Sequence, residues 1–500
     1  VDVVIALDTG TTSTKAVAAG PDGRVRAHAD AGYPLQVPGP GRAELDPVAI
    51  VDAVRSALAD VLTKLPDGDR VVALSLSAAM HGVVPLDADG RPCGPLVTWA
   101  DDRAAETVGR LHEVAAGLHR RTGTPVHPMS PLAKLAWWRE NDPELLARAH
   151  RWGGVKDLQI AAVCGPGLPI DLSSAATTGL YDIMSRRWDD EALAVTGVRH
   201  DQLPEVVSTT HRLKPLPDLG VGDVPVIIGA ADGPLANLGL GAVAPGVAAV
   251  SLGTSGALRV MTDRPAVDDD LRLFCYPLTD DHWVLGGAVN NAGSVLRWAR
   301  DAFEASEQEL IEEAAAEPVG AEGLLCLPYL LGERAPWWRA GLRGAYLGLR
   351  RDHNRGHLVR AAVEGVCQQL ALVRDAVRAA GVEVREIRAT GGAVASPFWV
   401  ETLAAALDQP VRTAASPEGT GVGACLLAFH ALGVLPDLDA TADLVALNEP
   451  VGPDPAAAAR YARMRPLVER ATLAIADVLA ELDDISDTRA PGAERTAAKE

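Results

Sequence analysis

Asp8 ends an apolar run and opens a turn of small residues, Asp8-Thr9-Gly10-Thr11-Thr12. Gly10 lets the backbone approach a ligand closely. Successive amides in such a turn form an anion-binding nest, and the hydroxyls add donors. A carboxylate there repels a phosphate unless a cation lies between them, so Asp8 points to Mg2+ held partly through water. A second turn, Gly253-Thr254-Ser255-Gly256, offers the same donors without the acid. Two such turns facing each other would clamp a triphosphate from both sides. Asp232 follows the apolar run 225–230 and opens a small-residue segment. Ligands of open α/β sheets bind outside the carboxyl ends of strands, where an Asp is placed to accept a proton from a substrate hydroxyl. Gly391, Gly392 and Ala393 lie between a strand-like run and a helical one, a crevice compatible with a nucleotide. Taken singly, each feature has an ordinary alternative: a hairpin with an Asx bond, a helix N-cap or a tight strand-to-helix turn.

Two other patterns fail their own context tests. Gly239-Leu240-Gly241-Ala242-Val243-Ala244 matches G-x-G-x-x-A but follows a helix rather than a strand, so it does not read as a dinucleotide site. Gly253-Thr254-Ser255-Gly256-Ala257 ends in Ala where a serine-hydrolase elbow needs Gly. No G-x-x-x-x-G-K-[ST] occurs, so any ATP site is not a P-loop.

The elements that must position these residues follow from periodicity. Residues 2–27 read as an antiparallel meander turning at Gly10 and at Gly20-Pro21-Asp22-Gly23. Apolar residues at 50, 51, 54, 58, 61 and 62 have helical spacing, and 70–77 reads as a buried strand. The same style restarts in the middle of the chain, with a strand over 225–230 and a strand-turn-strand over 248–261. Leu7-Asp8-Thr9-Gly10 corresponds to Leu252-Gly253-Thr254-Ser255, so an internal duplication of one α/β unit is expected. The Pro- and Gly-rich stretch 214–223 places the boundary between a first domain, 1–222, and a second, 223–484. The polar, aperiodic residues 485–500 read as a disordered tail.

Composition bounds the function. The chain has 500 residues, with ample apolar content for a large core, and a formal net charge of −20. That balance argues against nucleic-acid binding, which needs a basic face. The six cysteines form no C-x-x-C pair, against a zinc site or disulfide scaffold. No apolar run reaches the ~18 residues of a membrane helix, and the first residues already read as a strand rather than a signal segment. A soluble cytoplasmic protein is expected, and a homodimer is one open oligomeric state.

At this point the chain resembles the FGGY carbohydrate kinases, of the actin/hexokinase/Hsp70 superfamily, from Val3 to about Leu479. MSPLAKLAWWREN (129–141) and GAYLGLRRDHNRGHLVRAAVE (344–364) fit the two family patterns, departing only at Trp138, where an aliphatic residue or Phe is expected. The resemblance implies two duplicated ribonuclease H-like α/β domains with a cleft between them. It implies ATP and Mg2+, Asp232 as catalytic base, and Asp8 and Asp232 near the metal. It implies ATP contacts at Thr11, Thr12, Gly253, Thr254, Gly293, Gly391, Gly392 and Ala393. Met80-His81-Gly82 resembles the substrate contact of xylulokinase-like members. Glycerol is disfavoured, because TWADDRA (98–104) stands where glycerol kinases carry Gln-Arg-Glu-Thr-Thr. TGTPVHPMSPLAKL, LPYLLGERAPWW and GGAVNNAGSVLRW are more similar to gluconokinases, so D-gluconate is the expected acceptor and D-xylulose the alternative. A carboxylate substrate needs cationic or hydrogen-bonding partners. Arg103, His127 and Lys134 are the candidates, with Trp99, Asp101 and Arg103 on one face if 99–103 is extended; Arg103 equally fits an ion pair with Asp101 or Asp102, and Lys134 a solvated helix face. A sugar sensor without catalysis would keep the nucleotide turns but need no Asp232.

Overall fold

The computed structural model describes residues 1–414 and 419–486. Two six-stranded sheets organise them. The strands of the first are β1 (Asp2–Thr9), β2 (Ser13–Ala19), β3 (Val25–Gly32), β4 (Arg70–Ala78), β5 (Arg212–Leu213) and β6 (Val226–Ala231), in the order β5-β6-β4-β1-β2-β3. Those of the second are β7 (Val247–Leu252), β8 (Gly256–Thr262), β9 (Phe274–Pro277), β10 (Trp283–Val289), β11 (Glu386–Thr390) and β12 (Val411–Thr413), in the order β9-β10-β8-β7-β11-β12.

The duplication is visible in the pairing. β1 pairs antiparallel with β2 and parallel with β4; β7 pairs antiparallel with β8 and parallel with β11. Each sheet thus has an antiparallel meander on one side of its founding strand and parallel strands on the other. The edges differ: the antiparallel strand β5 closes the first sheet beside β6, and β9 closes the second beside β10. Buried apolar runs in β1, β4, β6 and β7 explain why these strands are central, since strands covered on both faces lose the alternating pattern.

The expected boundary at 222/223 is corrected here. The run 226–231 does not open the second half; it pairs parallel with β4 in the first sheet. The division by strand pairing therefore falls between Ala231 and Val247. The sequence misled because a short apolar strand carries no mark of its partner. Of the expected tail, 485 and 486 end the last helix, Pro455–Ser486, and the rest lies outside the described residues.

Helices cover the sheets. Outside the first lie α1 (Pro47–Thr63) and α2 (Val155–Cys164), sharing one apolar core with β1 and β4. Asp46 caps α1, its carboxylate accepting from the Val48 amide at 2.9 Å, with Pro47 in the first turn. Between the sheets lie α3 (Asp232–Gly239) and, from the second half of the chain, α6 (Gly419–Ala431). They cross where a Cβ on Gly239 would fall 1.6 Å from the Gly419 carbonyl oxygen, and one on Gly423 would fall 2.0 Å from that of Leu235. Only glycine permits that approach. On the outer face of the second sheet α4 (Arg355–Ala379) and α5 (Pro397–Leu407) complete the largest core. No helix among the described residues is long and apolar enough to cross a membrane.

Candidate active site

The carboxyl ends of β1, β4 and β6 are fastened by two polar side chains of α2. Lys156 Nζ donates to the carbonyls of Leu76, Ile228 and Ala230 at 2.9, 2.9 and 3.1 Å, and lies 3.6 Å from the Asp171 carboxylate. Gln159 Nε2 donates to the carbonyls of Leu7 and Ser77 and to Thr9 Oγ1. Strand ends that splay apart leave carbonyls without ladder partners, and buried ones must be satisfied. These helix side chains satisfy them and set where Asp8 and Asp232 emerge.

Asp8, the penultimate residue of β1, is part-buried, and its Oδ1 accepts from Ser77 Oγ at 2.7 Å. The turn is closed by the Gly10 amide donating to Ser13 and by the Tyr33 hydroxyl donating to the Gly10 carbonyl. Asp232 follows a register shift in β6 between Ile227 and Ala230. Gly229 there has φ +70°, and a Cβ on it would lie 1.8 Å from the Leu76 carbonyl oxygen. Such bulges re-aim the residues that follow. Asp232 is the first residue of α3, and its Oδ1 accepts from the Gly233 amide at 2.7 Å. Burial raises its pKa above the usual carboxylate value, against the pull of Arg259, the Gly233 N–H, Lys156 and Arg334.

Across the cleft, Gly253 lies between β7 and β8, with its amide donating to Ser255. Its carbonyl accepts from Gly293, and that of Thr254 accepts from Ala292 and Ser294. A Cβ on Gly293 would lie 2.8 Å from the Gly253 oxygen. Gly391 has φ +108°, and a Cβ on it would lie 2.4 Å from the Leu252 oxygen. Gly253, Thr254, Gly293, Gly391 and the adjoining Gly392 and Ala393 are thus brought to one end of the second sheet.

Between the halves lies a cavity of about 430 Å³ lined by residues of both, among them Trp99, Asp102, His127, Thr254, Asn290 and Arg334. Trp99 Nε1 donates to Thr11 Oγ1 at 3.0 Å, and the Arg334 guanidinium lies 4.9 Å from the Trp99 ring centroid. The first hairpin is thus tied through Trp99 to Arg334 of the second half. Arg334 is held in turn by Glu333, whose carboxylate accepts from the amides of Asn290 and Arg334 at 2.6 and 2.9 Å. Burial pushes the Glu333 pKa up to about 7 and the Arg334 pKa down to about 10. Sequence reasoning missed both residues, although they sit in the stretch LPYLLGERAPWW that it singled out for another reason.

His81 has φ +65°, an unusual conformation for a residue with a side chain, of the kind that gathers at functional sites. Its Nδ1 meets the Thr177 carbonyl at 2.7 Å. A carbonyl only accepts, so Nδ1 carries the proton and Nε2 presents a lone pair. Burial lowers its pKa to about 3, so the ring is neutral. Met80 packs against Gly233, where an added Cβ would lie 2.9 Å from its Cε. A Cβ on Gly82 would press within 3.1 Å of Val155. His127 lines the cavity; its Nδ1 accepts from the Met129 amide, and its Nε2 is buried without a hydrogen-bond partner. Burial lowers its pKa to about 3 as well.

Two expected donors are corrected. Arg103 is consumed by a buried ion pair: it donates to Asp101 at 2.7 and 2.8 Å and to Glu44 at 2.5 Å. Residues 99–103 form turns rather than an extended strand, so no shared face arises. Lys134 is fully buried, and its Nζ donates to the carbonyls of Met129 and His81 at 2.5 and 3.4 Å. It supports the Met80-His81-Gly82 turn from behind, and burial lowers its pKa to about 7.

Residues 3–239 match the N-terminal domain, and residues 248–432 the C-terminal domain, of the FGGY family of carbohydrate kinases. The chain belongs to that family. This sugar kinase is 37% identical to the gluconokinase of Bacillus subtilis over 93% of this chain and 94% of that protein. It is 27% identical to a xylulose kinase of Staphylococcus epidermidis over 86% of this chain and 88% of that one. Two structures from Lactobacillus acidophilus superpose with a TM-score of 0.91 at 33% identity, one described as a gluconate kinase and one as a ligand-bound xylulose kinase. Each superposition covers 96% of this chain, with 99% of the gluconate kinase and 100% of the xylulose kinase. As a carbohydrate kinase it transfers phosphate from ATP to an alcohol group.

Proposed function

We propose that the chain phosphorylates D-gluconate at its terminal hydroxyl, giving 6-phosphogluconate. The reading of the reaction rests on one observation: a buried carboxylate of raised pKa, Asp232, stands just past the end of β6, close enough to feel the charge of Arg334, which lines the cleft together with Thr254. The choice of acceptor rests on the greater similarity to gluconokinase, 37% against 27% for xylulose kinases. The ATP phosphates lie between the two hairpins, contacted by Thr11 and Thr12 on one side and Gly253 and Thr254 on the other. Gly293, Gly391, Gly392 and Ala393 face the adenosine end. Asp232 orients the terminal hydroxyl and takes its proton as the phosphoryl group transfers in line. His81 Nε2 accepts from a second hydroxyl, and Met80 and Gly82 shape the same wall. Positioning and electrostatic stabilisation supply most of the acceleration in such reactions.

The donor set fits Mg2+. Among the described residues no cluster of three or more His, Cys, Asp or Glu is arranged to hold a metal, so the protein offers isolated carboxylates rather than a cage. One or two carboxylates completed by phosphate oxygens and water is the usual magnesium arrangement. Asp8 and Asp232 would hold the ion, partly through water, and when bound it would neutralise phosphate charge.

A panel of gluconate, xylulose, ribulose, glycerol and erythritol, read by ADP release, tests the proposal. The highest kcat/KM is expected for gluconate. A higher value for any other member overturns the acceptor, and ADP release with none of them overturns the open-chain acceptor class.

A further inference from the structure

Two other arginines at the cleft are tied to the protein by their side chains. Arg103 has Asp101 and Glu44. Arg334 donates to the Val289 carbonyl and stacks on Trp99, although its Nε is buried without a hydrogen-bond partner. Arg259 differs. It lies on β8, whose alternation puts Ala257, Arg259 and Met261 on one face while Leu258 and Val260 enter the outer core. Ala257 and Met261 belong to the apolar cluster between the sheets, so Arg259 points towards the first half of the molecule. Its backbone is fixed by pairing with Gly286 of β10 and by Asn237, whose Nδ2 donates to the Arg259 carbonyl at 3.3 Å.

The guanidinium is close to the reacting group. A Cβ on Gly233, next to the base, would lie 3.5 Å from Arg259 Nε and 2.9 Å from Met80 Cε. Asp232 is near enough to act on its charge, yet the two form no ion pair within 4.0 Å. Arg259 Nε is buried without a hydrogen-bond partner, and no side-chain nitrogen of Arg259 donates a hydrogen bond among the described residues. Arg259 as a whole is only partly buried, and a guanidinium partly withdrawn from water is best compensated by an anion. Here the protein supplies none in contact.

We propose that Arg259 binds the carboxylate of the acceptor and sets the preference for a sugar acid over a neutral sugar. This rests on the gluconate reading above. An open-chain acid whose terminal hydroxyl meets Asp232 carries its carboxylate at the other end of the molecule. Arg259 stands on β8 three residues beyond Gly256, where the strand leaves the second hairpin. The cation also offsets the repulsion between the acceptor's carboxylate and Asp232. A bidentate pairing is what a planar guanidinium offers a carboxylate.

The test compares D-gluconate with D-gluconamide, which keeps the length and hydroxyls and loses the charge. The wild type should favour gluconate in kcat/KM. In Arg259→Gln that preference should fall by about 30-fold or more, the effect of removing one member of a buried charge pair. Arg259→Lys, which keeps the cation, should retain an intermediate preference and provides a second variant should the first fold poorly. An equal loss for both substrates would mean that Arg259 serves the transferring phosphate or the fold, and overturns the assignment. An unchanged preference in a wild type active on gluconate overturns this inference alone. A wild type inactive on gluconate overturns the acceptor reading and this inference together.

Discussion

The two hairpins at the ends of β1 and β7 are built alike and equipped differently. Both follow the founding strand of a sheet, and both turn on Gly and Thr. In the first the penultimate residue of the strand is Asp8, steadied by Ser77, and the same sheet presents Asp232 from the end of β6. In the second the position of Asp8 is taken by Gly253, and its neighbours Gly293 and Gly391 pack so closely that a side chain would meet backbone. One copy of the unit carries carboxylates, and the other has cleared itself to bare backbone. On the proposed reading, the same scaffold supplies metal and proton chemistry on one wall and close phosphate and nucleotide approach on the other. Duplication gave the symmetry; the two sides of a phosphoryl transfer have opposite electrostatic needs, and side chains at equivalent positions diverged to meet them.

The comparison breaks most severely at Asp232. Asp232→Asn should leave acceptor affinity nearly intact and lower kcat by at least ~10²-fold, the scale of general-base help, measured by steady-state kinetics with ADP release. In the wild type, the base must be ionised, and its pKa is raised by burial. The acid limb of kcat should therefore fall away at a pH above the ordinary Asp range, as the pH drops through the raised pKa, and Asp232→Asn should lose that limb. Asp8→Asn removes the other acid of this wall. It should raise the Mg2+ concentration for half-maximal rate by about 10–100-fold, as loss of a water-mediated metal partner does, read from magnesium titrations at fixed ATP.

The second wall is probed by giving it the chemistry of the first. Gly253→Asp places a carboxylate among phosphate donors and should raise KM for ATP by roughly tenfold, the equivalent of about 1.4 kcal/mol of repulsion. Gly253→Ala is the control. Its Cβ would meet nothing nearer than the Ser255 oxygen at 3.7 Å, so KM for ATP should change by less than about threefold, within the ~0.5 kcal/mol typical of substitutions that disturb no special feature. A large loss in the alanine variant would show that backbone freedom, and not the absence of charge, is what Gly253 contributes.

Much of this architecture was legible because its signals are local. The Asp8 and Gly253 turns, the helix after Asp46 and the strand at 70–77 are all written in short windows of sequence. The assignments that failed depend on distant partners. For Arg103 a local pair with Asp101 or Asp102 is one of two readings open to the sequence; the fold settles it on Asp101 and adds Glu44, far off in the chain. Lys134 read as a possible substrate donor, but it is spent on the backbone of His81. The strand 226–231 was placed in the wrong half because hydrophobicity reveals burial and not pairing. Arg259 passed unnoticed for the converse reason: a lone arginine in an apolar strand draws notice only when its surroundings are seen to offer no counter-charge in contact.

By itself the sequence determined the class of reaction, the two turns, the place of Asp232, the proposed base, and the repeated α/β unit. These rest on residue types within a few positions of one another, where covalent connectivity fixes geometry. Only the tertiary structure decided which cations are already paired and which are not. It also put β6, and with it Asp232, on the same wall as Asp8. Such choices are made by contacts between residues scores or hundreds of positions apart, and the chain records them only through the folded packing.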